Sequence, residues 1–512
     1  MLFFFGLGWR DFWAPVEPRY AEIARVMFSK GEWIVPTVNG DLYTDKPILY
    51  FWLVLIASKF VGAVNEWTVR LPSALAGMGV VLTTYAIGQT FFSTPIGLIA
   101  AAVLATSFRV IWESRWAHTD MVFLFFFTLS MYLTARSLFR RGHRDQILLA
   151  YAFMGLATLS KGLIGVVLPA LILLAYMAVR RDWRMLRDAK LLLGIGIFVI
   201  VAGPWFYLVS RATHGKWLMD FIYIHHIQRY TAGAGHRQPF YYYFTTLPVD
   251  FLPWTIFLIP ALFAGRLDRK GWGQSESLFF ILWLLVVFLF FSFSDTKRDL
   301  YLLPLFPPLA IYIACYLNDL IQDATVQSSS YRGLTLTFFG LLMILGLAAP
   351  VGARFLRPDA FWISIPGGCV MAAGGFFAVR FIRMRAPLNM VGAVTVMMAA
   401  TIVTASIWIF PYVENFKSVR PFSQEIKKIV PSGIPLYVFA DTMDDFNYYL
   451  EREVIPVVRS RATVEKLLSQ PRSGYMLIKT KDLIRVKMIS ELRLVATESL
   501  GSTTWNLVAL HP

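Results

Sequence analysis

Residues 191–210 read LLLGIGIFVIVAGPWFYLVS, twenty positions without one charged side chain. A helix rises 1.5 Å per residue, so about 20 apolar residues suffice to cross a hydrocarbon core of roughly 30 Å. Directly before this run stands RRDWRMLRDAK (180–190), dense in Arg and Lys. After it comes a long segment, 212–249, rich in aromatic and polar residues. Cations gathered at one end of a span mark its cytoplasmic end. The stretch therefore predicts a membrane helix and gives it a direction.

Outward from this helix the pattern repeats. Further crossings are predicted at roughly 69–89, 95–111, 118–136, 146–159, 162–179, 250–264, 277–293, 299–316, 333–350, 360–379 and 389–410. Ahead of them MLFFFGLGW (1–9) is apolar but too short to cross. It reads as the end of a first span whose beginning lies upstream of Met1, because no basic region or small-residue cleavage site of a signal peptide precedes residue 10. The expected fold is mainly α, a polytopic membrane helical bundle of about 13 transmembrane helices with the first one truncated.

Composition agrees. Of 512 residues 57% are apolar and 16% charged, with 43 Phe, 22 Tyr and 16 Trp. Soluble domains hold about 45–50% apolar and roughly 25% charged residues. Too few polar side chains remain to cover a soluble surface, and disordered or disulfide-framed classes are excluded with it. The two cysteines, Cys315 and Cys369, lie in apolar runs and read as packing residues. The formal charge of +16 comes largely from four basic runs, Arg136–Arg144, Arg180–Lys190, Arg266–Lys270 and Arg380–Arg385. All four fall on one side of a bundle of about 13 spans, which makes them topology anchors, with anionic lipid headgroups as a second use. Nucleic acid is not an expected partner.

The opposite side receives residues 10–68, 112–117, 212–249, 294–298 and everything after 410. The tail, 411–512, intersperses 14 Lys/Arg with 11 Asp/Glu. IPLYVFA, EVIPVVR, GYMLIKT and TTWNLVAL read as strands, and DDFNYYLER and RATVEKLLSQP as helices between them. The expected organisation is a transmembrane domain, 1–410, whose external loop 10–68 carries chemistry, and a small extracytoplasmic α/β domain, 411–512. Within that loop EPRYAEIARVMF (17–28) predicts an amphipathic helix, with Ile23, Val26 and Met27 facing the membrane and Glu22, Arg25 and Ser29 away from it.

EPRYAEIAR, GEW, VP, NG, KP and LYFW in this loop, then RLPSALAG (70–77), resemble the polyprenyl-phosphate-dependent integral membrane glycosyltransferases. The likeness is to the aminoarabinose transferases that modify lipid A and to the wider protein O-mannosyltransferase-like group. It continues through RWAHTD (115–120), LSKGLIGVVLP (159–169), GPWFYLV (203–209), IHHIQRY (224–230), GHRQPFYYY (235–243), FLPW (251–254) and TKRDLYLLPLFPPLA (296–310). The resemblance implies a multi-pass protein of a bacterial inner membrane. It would pass a sugar from a polyprenyl-phosphate-linked donor to a hydroxyl or similar nucleophile on a lipid, glycan or protein.

Such a reaction needs cations for the departing phosphate and a carboxylate for the acceptor proton. Lys46 matches the family's phosphate-binding lysine; a snorkelling anchor is its ordinary alternative. Arg19, Lys161, Lys297 and Arg298 are further phosphate candidates, with Tyr301 as a donor to the same group. Lys161 interrupts an apolar stretch, and Lys297–Arg298 sit at an external span entrance against the prevailing charge rule. Tyr20, Asp45, His225, His226, His236, Tyr241 and Tyr242 are expected to line the cavity.

The acid side departs from the family. Its usual Asp-Glu pair is Val16-Glu17 here, its Glu-Lys-Pro is Asp45-Lys46-Pro47, and its Glu-His is His225-His226. Glu17 is the expected catalytic carboxylate and Asp120 the second candidate; Glu17 paired to Arg19 as a structural ion pair is the alternative. No metal ligand set is expected, although the histidines leave a divalent ion open. No cofactor is expected beyond the lipid-linked donor. Two other readings stay open: a scaffold that binds lipid phosphate without turnover, and a flippase, which would need a midplane site and internal repeats.

Overall fold

The computed structural model describes residues 2–185, 189–228, 237–263, 274–322, 329–440, 444–469, 474–483, 492–501 and 503–510. The chain divides into two compact units. A helical unit comprises residues 1–5, 44–50 and 70–408, and a second unit comprises 6–43, 51–69 and 409–512. In chain order the helices used below are α1 (Val16–Lys30), α2 (Leu49–Val61), α3 (Glu66–Phe91), α4 (Thr94–Ala105), α5 (Phe108–Ser114) and α6 (Thr119–Phe139). They continue with α7 (Gln146–Lys161), α8 (Ile164–Arg180), α9 (Leu191–Ala212), α10 (Tyr242–Asp250), α11 (Gln274–Phe293), α12 (Phe306–Gln322), α13 (Ser329–Leu356) and α14 (Phe361–Arg383). Two more, α15 (Asp444–Leu450) and α16 (Arg461–Leu468), lie in the tail.

Eight described helices are long and apolar enough to cross a membrane, and ten stretches qualify if each of two bent pairs counts as one span. The bends correct two straight crossings expected from the sequence. Residues 94–105 and 108–114 meet at 66°, where Ser107 adopts extended backbone between α4 and α5. Residues 242–250 and 254–261 meet at 115°. Pro253 lies in that break; it lacks an N–H and disfavours helical backbone at the residue before it. α7 and α8 are shorter than a full crossing and are joined through Gly162, whose φ of +102° suits glycine best. Residues 2–9 form consecutive turns rather than the expected end of a helix, with Gly6 at φ +63°.

Close helix contacts are made possible by missing side chains. A Cβ on Gly165 of α8 would lie 2.4 Å from the Thr158 nitrogen of α7. One on Gly368 of α14 would lie 2.5 Å from the Gly346 carbonyl oxygen of α13. Small residues at such crossings are how helices pack where the surrounding solvent is itself apolar. Leu345, Leu347, Phe355 and Trp362 stand exposed on α13 and α14, as lipid-facing side chains do.

The second unit gathers most of the first loop with the tail, whereas the boundary expected at residue 410 separates them. The Phe12 N–H donates to the Tyr449 hydroxyl (2.7 Å), and the Tyr448 hydroxyl donates to the Val64 carbonyl (2.8 Å). Asn39 exchanges hydrogen bonds with the Ile455 backbone (2.7 and 3.1 Å), and Arg420 pairs with Asp11 (2.8 Å). α1 ends at Gly31 in left-handed backbone, whose N–H returns to Met27 and Phe28. Its expected membrane-facing stripe is a correction: Ile23, Val26 and Met27 are buried within the protein, and so is Glu22. α1 packs against α15, so the apolar side faces protein. Asn39 and Gly40, both at positive φ, turn a hairpin of β1 (Thr37–Val38) and β2 (Asp41–Leu42).

The tail holds β3 (Leu436–Phe439), β4 (Val457–Val458), β5 (Tyr475–Lys479), β6 (Arg493–Leu500) and β7 (Thr503–Ala509) in the order β4-β3-β5-β7-β6. β3 runs parallel to β4 and β5, and β7 antiparallel to β5 and β6. Val464 and Leu468 of α16 pack on Phe439, Met476, Ile478 and Val508 to form the core. The strands expected in the tail correspond to β3, β4, β5 and β7; β6, a sheet-edge strand exposed along most of its length, was not among them, nor were β1 and β2 of the first loop.

Candidate functional site

The helical unit brings three of the expected phosphate-binding cations together. Lys46 sits in the short segment before Pro47, Lys161 ends α7, and Arg298 lies in extended backbone just before a 3-10 turn, Asp299–Leu305. The Lys161 ammonium is held by the Asp120 carboxylate and stands over the rings of Tyr301 (5.0 Å) and Phe123 (5.1 Å). Lys46 and Arg298 are both close enough to repel it. Lys46 meets its own neighbour, with Nζ 3.3 Å from Asp45 Oδ1. Arg298 is half-buried, and its guanidinium pairs with no carboxylate among the described residues. Like charges gathered at a partly buried place repel one another, a cost that a bound anion removes.

Asp120 belongs to a buried chain of charge. Its second oxygen meets His118 Nδ1, which stands 3.9 Å from Glu113. Glu113 accepts from Arg109 (3.2 Å), and Arg109 reaches on to Asp250 (2.7 Å) and Asp299. α5, α6, α10 and the 3-10 turn thereby share one network. Sequence reasoning missed Arg109, Glu113, Asp250 and Asp299. The available signal was the one that singled out Lys161, an ionisable side chain inside an apolar stretch.

Asp45 also joins His225. The His225 Nδ1 is 3.2 Å from Asp45 Oδ1, and its Nε2 is 3.1 Å from the Thr44 hydroxyl. His225 is carried by a π-helical turn, Tyr223–Gln228, a geometry frequent at functional sites. The His226 side chain and all of His236 lie outside the described residues, as does the basic run Arg266–Lys270. Among the described residues no three His, Cys, Asp or Glu side chains gather as a metal site.

Other expected residues do different work. Lys297 is buried, and its ammonium donates to the carbonyls of Ser294 (2.5 Å) and Gln238 (3.1 Å), tying one loop to another. Tyr241 is exposed beside Phe240 and Phe244, an outward aromatic group. Tyr242 opens α10 and packs edge-on to Tyr243, whose hydroxyl donates to the Arg298 carbonyl (3.3 Å).

In the second unit Glu17 has no exposed surface. Arg10 forks onto both its oxygens (2.5 and 3.0 Å), and the Trp13 N–H adds a third bond (3.1 Å). Tyr20 is packed between Tyr43 and Phe51, and Arg19 is half-buried on α1.

A family model described as dolichyl-phosphate-mannose-protein mannosyltransferase matches residues 1–219. An undecaprenyl phosphate-alpha-4-amino-4-deoxy-L-arabinose arabinosyl transferase of Pseudomonas aeruginosa is 31% identical over 381 residues, covering 71% of this chain and 66% of that protein. The equivalent transferase of Shewanella sediminis is 27% identical over 477 residues, covering 88% and 83%. The crystal structure of ArnT from Cupriavidus metallidurans bound to undecaprenyl phosphate superposes with a TM-score of 0.80 at 20% identity, over 99% of this chain and 96% of that one. The chain belongs to the polyprenyl-phosphate-dependent membrane glycosyltransferases.

In this glycosyltransferase the helical unit alone supplies a cation cluster, a carboxylate beside it (Asp45) and an imidazole on that carboxylate. Of the three carboxylates expected at the site, Asp45 is the most exposed. Its side chain is 23% exposed, against 1% for Asp120 and none for Glu17. Asp120 is occupied on both oxygens by Lys161 and His118 and fixes their positions.

Proposed function

We propose that the protein transfers the sugar of an undecaprenyl- or other polyprenyl-phosphate-linked donor to a hydroxyl, or a similar nucleophile, on a lipid, glycan or protein. The reaction takes place at the extracytoplasmic face of a bacterial inner membrane, opposite the basic loops. The observation that carries the reading is the convergence of Lys46, Lys161 and Arg298 beside Asp45. Lys46 and Arg298 hold the oxygens of the departing phosphate, Arg298 with the fork that suits them. Lys161, anchored by Asp120, adds a fixed positive field as negative charge develops on the leaving group. Asp45, oriented by His225, accepts the acceptor's proton. Lys297 and Glu17 are left out of the chemistry because their polar atoms are already engaged by the fold.

The test is release of undecaprenyl phosphate from undecaprenyl-phosphate aminoarabinose by purified protein, with donor binding measured separately. Asp45→Asn is expected to lower turnover at least about 100-fold while donor affinity changes little. Unchanged turnover would remove Asp45 from the mechanism. A second reading, a lipid-phosphate-binding protein without turnover, is favoured by Val16, which stands where the family resemblance implies an aspartate. Its signature is donor binding that depends on Lys46 and Arg298 with no sugar released to any acceptor.

A further inference from the structure

At the opposite end of the helical unit, among the basic loops, lies a cavity of about 260 Å³ that the transfer reaction does not use. α6, α7, α8 and the start of α11 enclose it. Arg144, Arg180, Tyr176 and Ser275 line it, and Ile147 and Leu173 supply apolar wall. Its size is several times the roughly 30 Å³ of one water, which makes room for a small polar group rather than a single solvent molecule.

Among the described residues the charges around it are not all paired. Lys190 pairs with Asp145, and Arg140 with Glu276 (3.4 Å), so those neighbours are satisfied. Arg136 lies against His143 (3.2 Å) and over the Tyr132 ring. Asp182, the one carboxylate on the cavity wall among the described residues, accepts the backbone N–H of Arg184 (3.2 Å). Among the described residues Arg144 and Arg180 have no carboxylate partner, and both are exposed. Tyr176 is buried against Phe139 and Phe279, with Ser275 beside it on the same wall. Two guanidinium groups and the hydroxyl groups of Tyr176 and Ser275 lining one cavity suit a phosphate.

The surroundings say where that phosphate comes from. Leu174 and Val179 of α8, Trp183 beyond it and Leu191–Leu193 at the start of α9 are exposed apolar side chains at the same end of the unit. Trp183 is the residue type that settles at a membrane–water interface. A polar cavity with an apolar exterior beside it fits a molecule with a charged head and acyl chains. We propose that this cavity is a binding site for the phosphate headgroup of an anionic lipid from the leaflet that borders the basic loops.

The experiment is native mass spectrometry of the full-length, detergent-purified protein titrated with phosphatidylglycerol, with phosphatidylcholine and inorganic phosphate as separate arms. Wild type is expected to retain phosphatidylglycerol at least about tenfold more strongly than phosphatidylcholine. Arg144→Gln with Arg180→Gln should abolish that preference, while Arg385→Gln, a basic residue away from the cavity wall, should keep it. Leu173→Trp fills the cavity without altering charge and should also abolish it, which decides the matter should the arginine variants fail to fold. Retention of the preference in both variants would overturn the site. Saturable binding of inorganic phosphate with no preference for phosphatidylglycerol would overturn the lipid assignment in favour of a free anion.

Discussion

Lys46 and Arg298 are separated by some 250 positions in the chain, yet both bear on Lys161. Hydrogen bonds to charged groups contribute about 1.5–3 kcal/mol each. Lys46→Ala and Arg298→Ala are therefore each expected to weaken binding of the lipid-linked donor roughly ten- to hundredfold, as measured by tritiated-donor filter binding. Arg136→Ala, at the other end of α6, should leave that affinity unchanged. Glu17 predicts a different outcome. It is buried with Arg10, and removing one partner of such a pair leaves an uncompensated charge. Arg10→Met alone or Glu17→Gln alone should cost about 3–5 kcal/mol of stability. The double change Arg10→Met with Glu17→Leu should cost less than either, a comparison that thermal melting in detergent makes directly. The sequence showed Glu17 as a lone acid at a helix start; which arginine it would meet was settled only by the turn through Trp13, whose N–H also reaches it.

Two elements carry predictions of their own. α8 approaches α7 through Gly165, and a methyl group there would strike the backbone of the helix that presents Lys161. Gly165→Ala is expected to lower stability by about 1–3 kcal/mol, the usual range for overpacking, and to reduce donor affinity in parallel. A melting temperature equal to wild type would show that the helices can part without loss. In the second unit, burial and the nearby Glu66 charge hold the Tyr449 phenol above its ordinary pKa, and burial does the same for Tyr448. The folded state therefore keeps these protons while the unfolded chain begins to release them near pH 10. Their stabilising contribution is complete below about pH 10 and is lost as pH rises beyond it. Tyr448→Phe with Tyr449→Phe should flatten the decline in melting temperature between about pH 8 and about pH 11, and an unchanged slope would assign that decline to other groups. α1 shows how far periodicity reaches at this scale: its apolar stripe was legible, but whether lipid or α15 would cover it was not.

For the molecule as a whole, the basic runs predict one orientation. Reporters fused after Arg141 and after Arg184 should lie in the cytoplasm and one after Arg420 outside, and a cytoplasmic tail would displace the reaction from the face assigned to it. Apolar run length and loop charge are properties of contiguous sequence, so the polytopic helical class, the run from 191 to 210 and the mixed α/β tail could be read before any coordinates. Motif order likewise carried the family and the expectation for Lys46, while Lys161 and Arg298 stood out as charges at unusual places in apolar surroundings. What contiguous sequence does not contain is the partner of each buried charge. Whether Lys297 would serve a phosphate or the carbonyls of Ser294 and Gln238 depends on loops meeting in space. Arg109 and Glu113, four apart on α5, were passed over together with Asp250 and Asp299, because the network they form exists only when α5, α10 and the turn at Asp299 converge. The grouping of the first loop with the tail depends on hydrogen bonds between residues some 400 positions apart. The bends at Ser107 and Pro253 left the apolar pattern intact, because hydropathy reports the solvent a segment prefers and not the direction its axis takes. Solvent preference belongs to the chain, and the pairing of its charges belongs to the fold.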